Sequence, residues 1–175
     1  PGADPDKLFA MLGDSTPIAI ALTHTHIDHV MALDEMRQQL NVPVIGHTGN
    51  IDTGEAVDFD QSLEHGSTLA LAGHTLNIEY APGHISNQIC FRIANDNRII
   101  VGDTIFEGGP GRTWTTEGFR QTLDTLRTIV LNWPDETMCY PGHGPIFQLG
   151  DIRAQVEAFI AKDHGDFFGD ATWDQ

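Results

Sequence analysis

The chain has 175 residues, 40% of them apolar, and a formal charge of −16 from 25 acidic and 9 basic side chains. That length buries one good core, so a single domain over 1–175 is expected, and so acidic a surface argues against a nucleic-acid partner, which needs a basic face. No apolar run reaches the roughly 18 residues of a membrane span. The chain opens at Pro1 without an initiator methionine, so processing or truncation is expected, and the missing signal peptide makes the cytoplasm the expectation.

Ile18-Ala19-Ile20-Ala21-Leu22 reads as a short buried strand that delivers the run Thr23-His24-Thr25-His26-Ile27-Asp28-His29. A helix over about 29–40 follows, with Val30, Leu33, Met36 and Leu40 at near-helical spacing. Asn41-Val42-Pro43 ends it before a further strand at Val44-Ile45. From 68 to 106 the texture is β: 69–71, 76–80, 89–93 and 99–101 are short apolar or alternating runs. Asn95-Asp96-Asn97 is a hairpin turn, because Asn and Asp tolerate positive φ. Over 116–131 the apolar residues Phe119, Leu123, Leu126 and Val130 recur at helical intervals, with Thr116 as the N-cap. A last strand over 137–140 and a last helix over 151–162 lead into an acidic tail at Asp163-His164-Gly165-Asp166. Strands and helices in layers make the fold class α/β.

Three imidazoles and a carboxylate within six residues, His24, His26, Asp28 and His29, are costly to hold together unless a positive charge sits among them. His24 and His26 are two apart in an extended segment and so project to the same side. Asp28 and His29 follow where the chain turns, and reach a second point nearby. His84 in Pro82-Gly83-His84, Asp103 in Gly102-Asp103-Thr104 and His143 in Pro141-Gly142-His143-Gly144 complete seven candidate ligands, each after a probable strand. Imidazole with carboxylate favours zinc, iron or manganese over calcium or magnesium. His47, His65, His74 and His164 are read as core or surface histidines, Trp133 and Trp173 as packing residues, and Cys90 and Cys139 as buried free thiols.

The pattern His24-x-His26-x-Asp28-His29, with a distant His84, Asp103 and His143, resembles the metallo-β-lactamase superfamily and, within it, the glyoxalase II branch of hydroxyacylglutathione hydrolases. Segments 22–29, 81–87, 101–113 and 140–145 carry the likeness. The resemblance implies a four-layer αββα sandwich with the metals at one edge. It implies too that the first N-terminal strands are lacking, since Pro1-Gly2 looks like the middle of the family's Asp-Pro-Gly turn. It assigns His24, His26 and His84 to one divalent metal and Asp28, His29 and His143 to another, bridged by Asp103, with zinc favoured and iron or manganese as alternatives. Asp28 and Asp103 are the catalytic carboxylates it implies. The implied chemistry is attack of a metal-bridging hydroxide on a thioester such as S-(2-hydroxyacyl)glutathione, expelling a thiolate. Arg112 and Trp114 stand where that branch binds the small anionic substrate, while Pro145 replaces a substrate-binding tyrosine and the C-terminal helical domain is missing. Alternatives of the same fold are a persulfide dioxygenase with one iron at the first site, and a lactonase.

Overall fold

The computed structural model describes residues 1–49 and 53–175. Helix α1 (Pro5–Leu12) leads to strand β1 (Ile20–Ala21), helices α2 (Ile27–Val30) and α3 (Leu33–Leu40), and strands β2 (Val44–Gly46) and β3 (Gln61–Ser62). Strands β4 (Thr68–Leu71), β5 (His74–Tyr80), β6 (Ile89–Ile93), β7 (Arg98–Gly102), β8 (Ile105–Phe106) and β9 (Gly109–Pro110) come next. Helix α4 (Thr116–Thr128), strands β10 (Met138–Pro141) and β11 (Phe147–Gln148) and helix α5 (Leu149–Ile160) complete the order.

Two sheets dominate. The smaller is parallel, in the order β1-β2-β3, and the larger has six strands in the order β11-β10-β7-β6-β5-β4. Strands β4 to β7 form an antiparallel meander, while β10 lies parallel to β7. Alternation along β6 shows how the layers stack: Ile89 and Phe91 point into a cluster with Ile45 and Leu63, and Cys90 points the other way, into a cluster with Phe119, Leu126, Val156 and Phe159. A third cluster joins Ile20, Leu22 and Val44 to Val30, Leu33 and Met36. Helices α2 and α3 therefore cover the small sheet, the two sheets face one another, and α4 and α5 cover the large sheet. This is the expected αββα order.

Local differences from the sequence reading have physical causes. The helix expected over 29–40 is interrupted between Val30 and Leu33. The Ala32 N–H, which a continuous helix would direct to Asp28, instead donates to the Pro1 carbonyl at 3.0 Å. Thr115 rather than Thr116 caps α4, its Oγ1 accepting from the Gly118 N–H at 3.0 Å. Ile18 lies outside β1 and is exposed rather than buried, because β1 has a neighbour on one side only among the described residues. Asn95 does adopt positive φ, at 59°, in the β6–β7 turn. Both cysteines are free and buried, and burial pushes each thiol up to about 12.

Candidate metal centre

Backbone pairing sets the place of the first histidines. Leu22 donates to the Ile45 carbonyl at 2.9 Å, and the Thr23 carbonyl accepts from Ile89 at 2.8 Å. The segment after β1 is thus tied to both sheets at once, and His24 and His26 emerge where the sheets meet. Asp28 and His29 ride on the short helix α2 directly after it. Strands β7 and β10 run parallel, so their C-terminal ends deliver Asp103 and His143 side by side, with Gly142 donating to the Gly102 carbonyl at 2.9 Å.

Two glycines are required here. Gly102 takes φ of 51° so that the chain can turn Asp103 into the site, and a Cβ there would press on Gln88 and Thr23. A Cβ at Gly142 would collide with Asp103 Oδ1 and the His29 ring. His84 sits in the loop after β5, which is held by a bond from Thr125 Oγ1 on α4 to the Pro82 carbonyl at 2.7 Å.

All seven expected residues converge. His24, His26 and His84 form one group, His24, His29 and Asp103 a second, and Asp28, His29 and His143 a third, with donor atoms in each group within 4.8 Å of one another. His26 Nδ1 lies 2.7 Å from His84 Nε2, and His29 Nε2 lies 3.3 Å from His143 Nε2. Asp103 stands between the sets. Its Oδ1 is 3.4 Å from His29 Nε2, and its Oδ2 is 3.6 Å from His84 Nε2 and 3.5 Å from His143 Nε2. At the outer edge Asp28 Oδ2 is 2.9 Å from His143 Nε2.

The nitrogens that face away from the centre are held. His84 Nδ1 donates to the Arg112 carbonyl at 2.7 Å, which leaves Nε2 as the bare nitrogen facing inward. His26 Nε2 meets Thr53 Oγ1 at 2.9 Å, and His24 Nδ1 meets Thr23 Oγ1 at 3.2 Å. Outer partners of this kind fix the orientation and tautomer of metal-binding imidazoles. Gln88, fully buried, accepts from the Asp103 N–H at 3.3 Å and fixes the start of that side chain. Sequence reasoning missed Thr53 and Gln88. Thr53 is 27 residues from its histidine and belongs to no motif.

Several observations fit a group of cations at this place. His24 Nε2 and Asp103 Oδ1 are buried without a hydrogen-bond partner among the described residues. Each such atom costs about 1–3 kcal/mol unless something satisfies it. Burial, then the neighbouring imidazoles, hold His24 far below the usual histidine range. Burial and then His84 bring His26 down to about 4, and burial also lowers His84. The imidazoles of His24, His26 and His84 are thus neutral at neutral pH, with lone pairs free to bind. Burial pushes Asp103 up, but its contact with His29, and then the other imidazoles that face it, outweigh this and hold the carboxyl below its ordinary value. The donor set is imidazole and carboxylate, which suits zinc, iron or manganese.

Arg112 and Trp114 lie at the rim. The Arg112 guanidinium carbon sits 4.6 Å over the Trp114 ring, and that ring is 6.1 Å from His26. The other histidines lie outside the three groups. His47 Nδ1 bonds the Leu63 carbonyl at 2.9 Å, His65 Nδ1 accepts from the Tyr80 N–H at 3.1 Å, His164 packs against Phe119 and Phe159, and His74 is exposed. Trp133 and Trp173 are buried in the core, as expected of packing residues.

The metallo-beta-lactamase superfamily matches residues 1–143. The chain is 31% identical over 164 residues to the probable metallo-hydrolase YqgX of Bacillus subtilis (strain 168), a match that covers 83% of this chain and 78% of that protein. It is 30% identical over 124 residues to the hydroxyacylglutathione hydrolase of Rhizobium meliloti (strain 1021), covering 71% of this chain and 47% of that one, so it spans about half the length of that relative. Among solved structures, TTHA1623 in a di-iron-bound form is similar with a TM-score of 0.72 and 28% identity, over 87% of this chain and 84% of that one.

Proposed function

The chain belongs to the metallo-beta-lactamase superfamily, and from that premise we propose that it is a two-metal thioester hydrolase for a small anionic substrate such as an S-(2-hydroxyacyl)glutathione. The observation that carries the reading is Asp103 standing between two ligand sets, one oxygen toward His29 and the other toward His84 and His143. His24, His26 and His84 would hold one cation, Asp28, His29 and His143 the other, and Asp103 would serve both. Zinc suits these donors, and the likeness to a di-iron-bound structure makes iron the alternative. The likeness to a hydroxyacylglutathione hydrolase supports the substrate class.

Bound divalent cations supply Lewis acidity and lower the pKa of water from 15.7 to about 7. The chain's own groups do the rest. Asp103 stays ionised at neutral pH, because its imidazole neighbours hold its carboxyl low despite burial. Asp28, half-exposed at the open side and 2.9 Å from His143, is placed to accept the proton of the attacking water. Arg112 offers a guanidinium fork for a substrate carboxylate, and Trp114 gives an apolar wall beside it. A thiol with a pKa near 8.5 leaves far more readily than an alcohol, so the thioester needs little help at departure.

The test is hydrolysis of S-lactoylglutathione by the metal-loaded protein. Turnover should vanish on chelation and in Asp28→Asn, and Arg112→Ala should raise KM several-fold for this substrate more than for a neutral thioester. A chain that carries two metals yet leaves thioesters intact would contradict the reading.

A further inference from the structure

The residues after α5 are laced onto the loop that carries Arg112. Thr113 donates to the Gly169 carbonyl at 3.0 Å, and Gly169 donates back to Thr113 Oγ1 at 3.1 Å. Buried Trp173 donates through Nε1 to the Glu107 carbonyl at 2.8 Å and through its backbone to Gly108 at 3.3 Å. Further along, Thr116 Oγ1 donates to the Asp166 carbonyl at 2.9 Å, and Arg120 meets the Asp166 carboxylate at 3.2 Å. The acidic tail expected after the last helix runs as a strap along residues 107–120.

Between these ties, Asp170 brings its carboxylate to 3.2 Å from Arg112 Nη1. Both side chains face solvent, at 50% and 78% exposure, so either can be reached from outside. Backbone bonds at Gly169 and Trp173 fix the chain on each side of Asp170. The carboxylate is therefore kept beside the guanidinium at high effective concentration without the ion pair having to order it. The same guanidinium stacks on Trp114, which reaches His26, so the pair stands at the mouth of the metal centre.

We propose that Asp170 is a specificity-determining residue: a carboxylate of the chain itself that occupies Arg112 and must be displaced by the carboxylate of an anionic substrate. This rests on the assignment of Arg112 to substrate binding given above. A substrate anion that takes Arg112 gains the fork but meets the released Asp170 as a like charge beside it. Exposed ion pairs set the scale, so the penalty is about two- to fivefold in kcat/KM and fades in high salt. Neutral thioesters are spared it. The strap thus weakens the hold on anions that rely on Arg112 alone and favours those, such as a glutathione conjugate, that bring further contacts to the site.

The experiment measures kcat/KM of the metal-loaded protein for S-lactoylglutathione and for N-acetyl-S-lactoylcysteamine, a neutral thioester with the same acyl group, in wild type, Asp170→Asn, Arg112→Ala and the double variant. The expected result is an anionic-to-neutral ratio that rises about two- to fivefold in Asp170→Asn and does not rise when Arg112 is also absent. An unchanged or lowered ratio in Asp170→Asn, with Arg112→Ala still lowering it, overturns the role of Asp170 and leaves Arg112 in place. No effect of Arg112→Ala on the ratio overturns both assignments. If neither thioester turns over, calorimetric titration with S-methylglutathione decides: tighter binding to Asp170→Asn supports the inference, and equal or weaker binding overturns it.

Discussion

The two ligand trios of the centre are built differently. His24 is 1% exposed, and each nitrogen of the first trio that faces outward is held by Thr23, Thr53 or the Arg112 carbonyl. In the second trio the side chains of His143 and Asp28 are 55% and 51% exposed, and they meet chiefly one another and Asp103. The first set is thus oriented by protein before any cation arrives, whereas the second takes much of its order from what it binds. Orientation of ligands in advance raises affinity, because less freedom is lost on binding. If the centre takes two cations as proposed, the first should bind more tightly than the second, with Asp103 as the residue they would share.

Removing the shared residue is the strongest way to break this contrast. Asp103→Ala should cost metal content and turnover together, by more than the roughly 10–100-fold that loss of an outer partner brings. Elemental analysis beside kcat measures both, and full occupancy of either trio in that variant would show two independent sites instead. Removing an outer partner should sharpen the contrast. Thr53→Val keeps the shape but frees His26 Nε2, and should weaken the first cation about tenfold in a competitive chelator titration while sparing the second. Equal losses at both would remove the outer partners as the cause of the difference.

Acid gives the smallest effect. Burial holds His24 and His84 below the ordinary histidine range and His26 near 4, against 6.5 when free. Below 6.5 the unfolded chain takes up protons that the folded chain does not. The stability of the metal-free protein is therefore full above that value and falls as pH drops toward 4, through the titration of His26. His26 is partly open to water, which limits the size of the loss. Thermal unfolding of metal-free protein across that window should show a falling midpoint; a flat profile would mean the imidazoles are not held neutral by the fold.

The seven residues of the site could be read before the structure, but not the contrast between the trios. Each ligand follows a short apolar run, whereas the need for positive φ at Gly102 and for room beside Asp103 and His29 at Gly142 came only with the fold. The short apolar run of β6 and the helical spacing in α4 are local properties, and they gave the strands and helices of the large layer. What stayed hidden depends on distant partners. The break before Leu33 comes from the Pro1 carbonyl, 31 residues from its donor Ala32, and no pattern near Ala32 signals it. Thr53 and Gln88 are ordinary polar residues until the fold sets them against His26 and Asp103. The path of the acidic tail stayed hidden for a related reason. Its composition is acidic, but its backbone bonds to Thr113 and Gly108 and the burial of Trp173 decide where it lies.

The central claim, two cations held by unequal trios about one carboxylate, is tested most directly by metal content per folded chain during stepwise loading of metal-free protein. The account predicts two divalent ions per chain at saturation, the first retained against a chelator that strips the second. Saturation at a single iron, with Asp28, His29 and His143 contributing nothing to affinity when each is replaced by alanine, would contradict it.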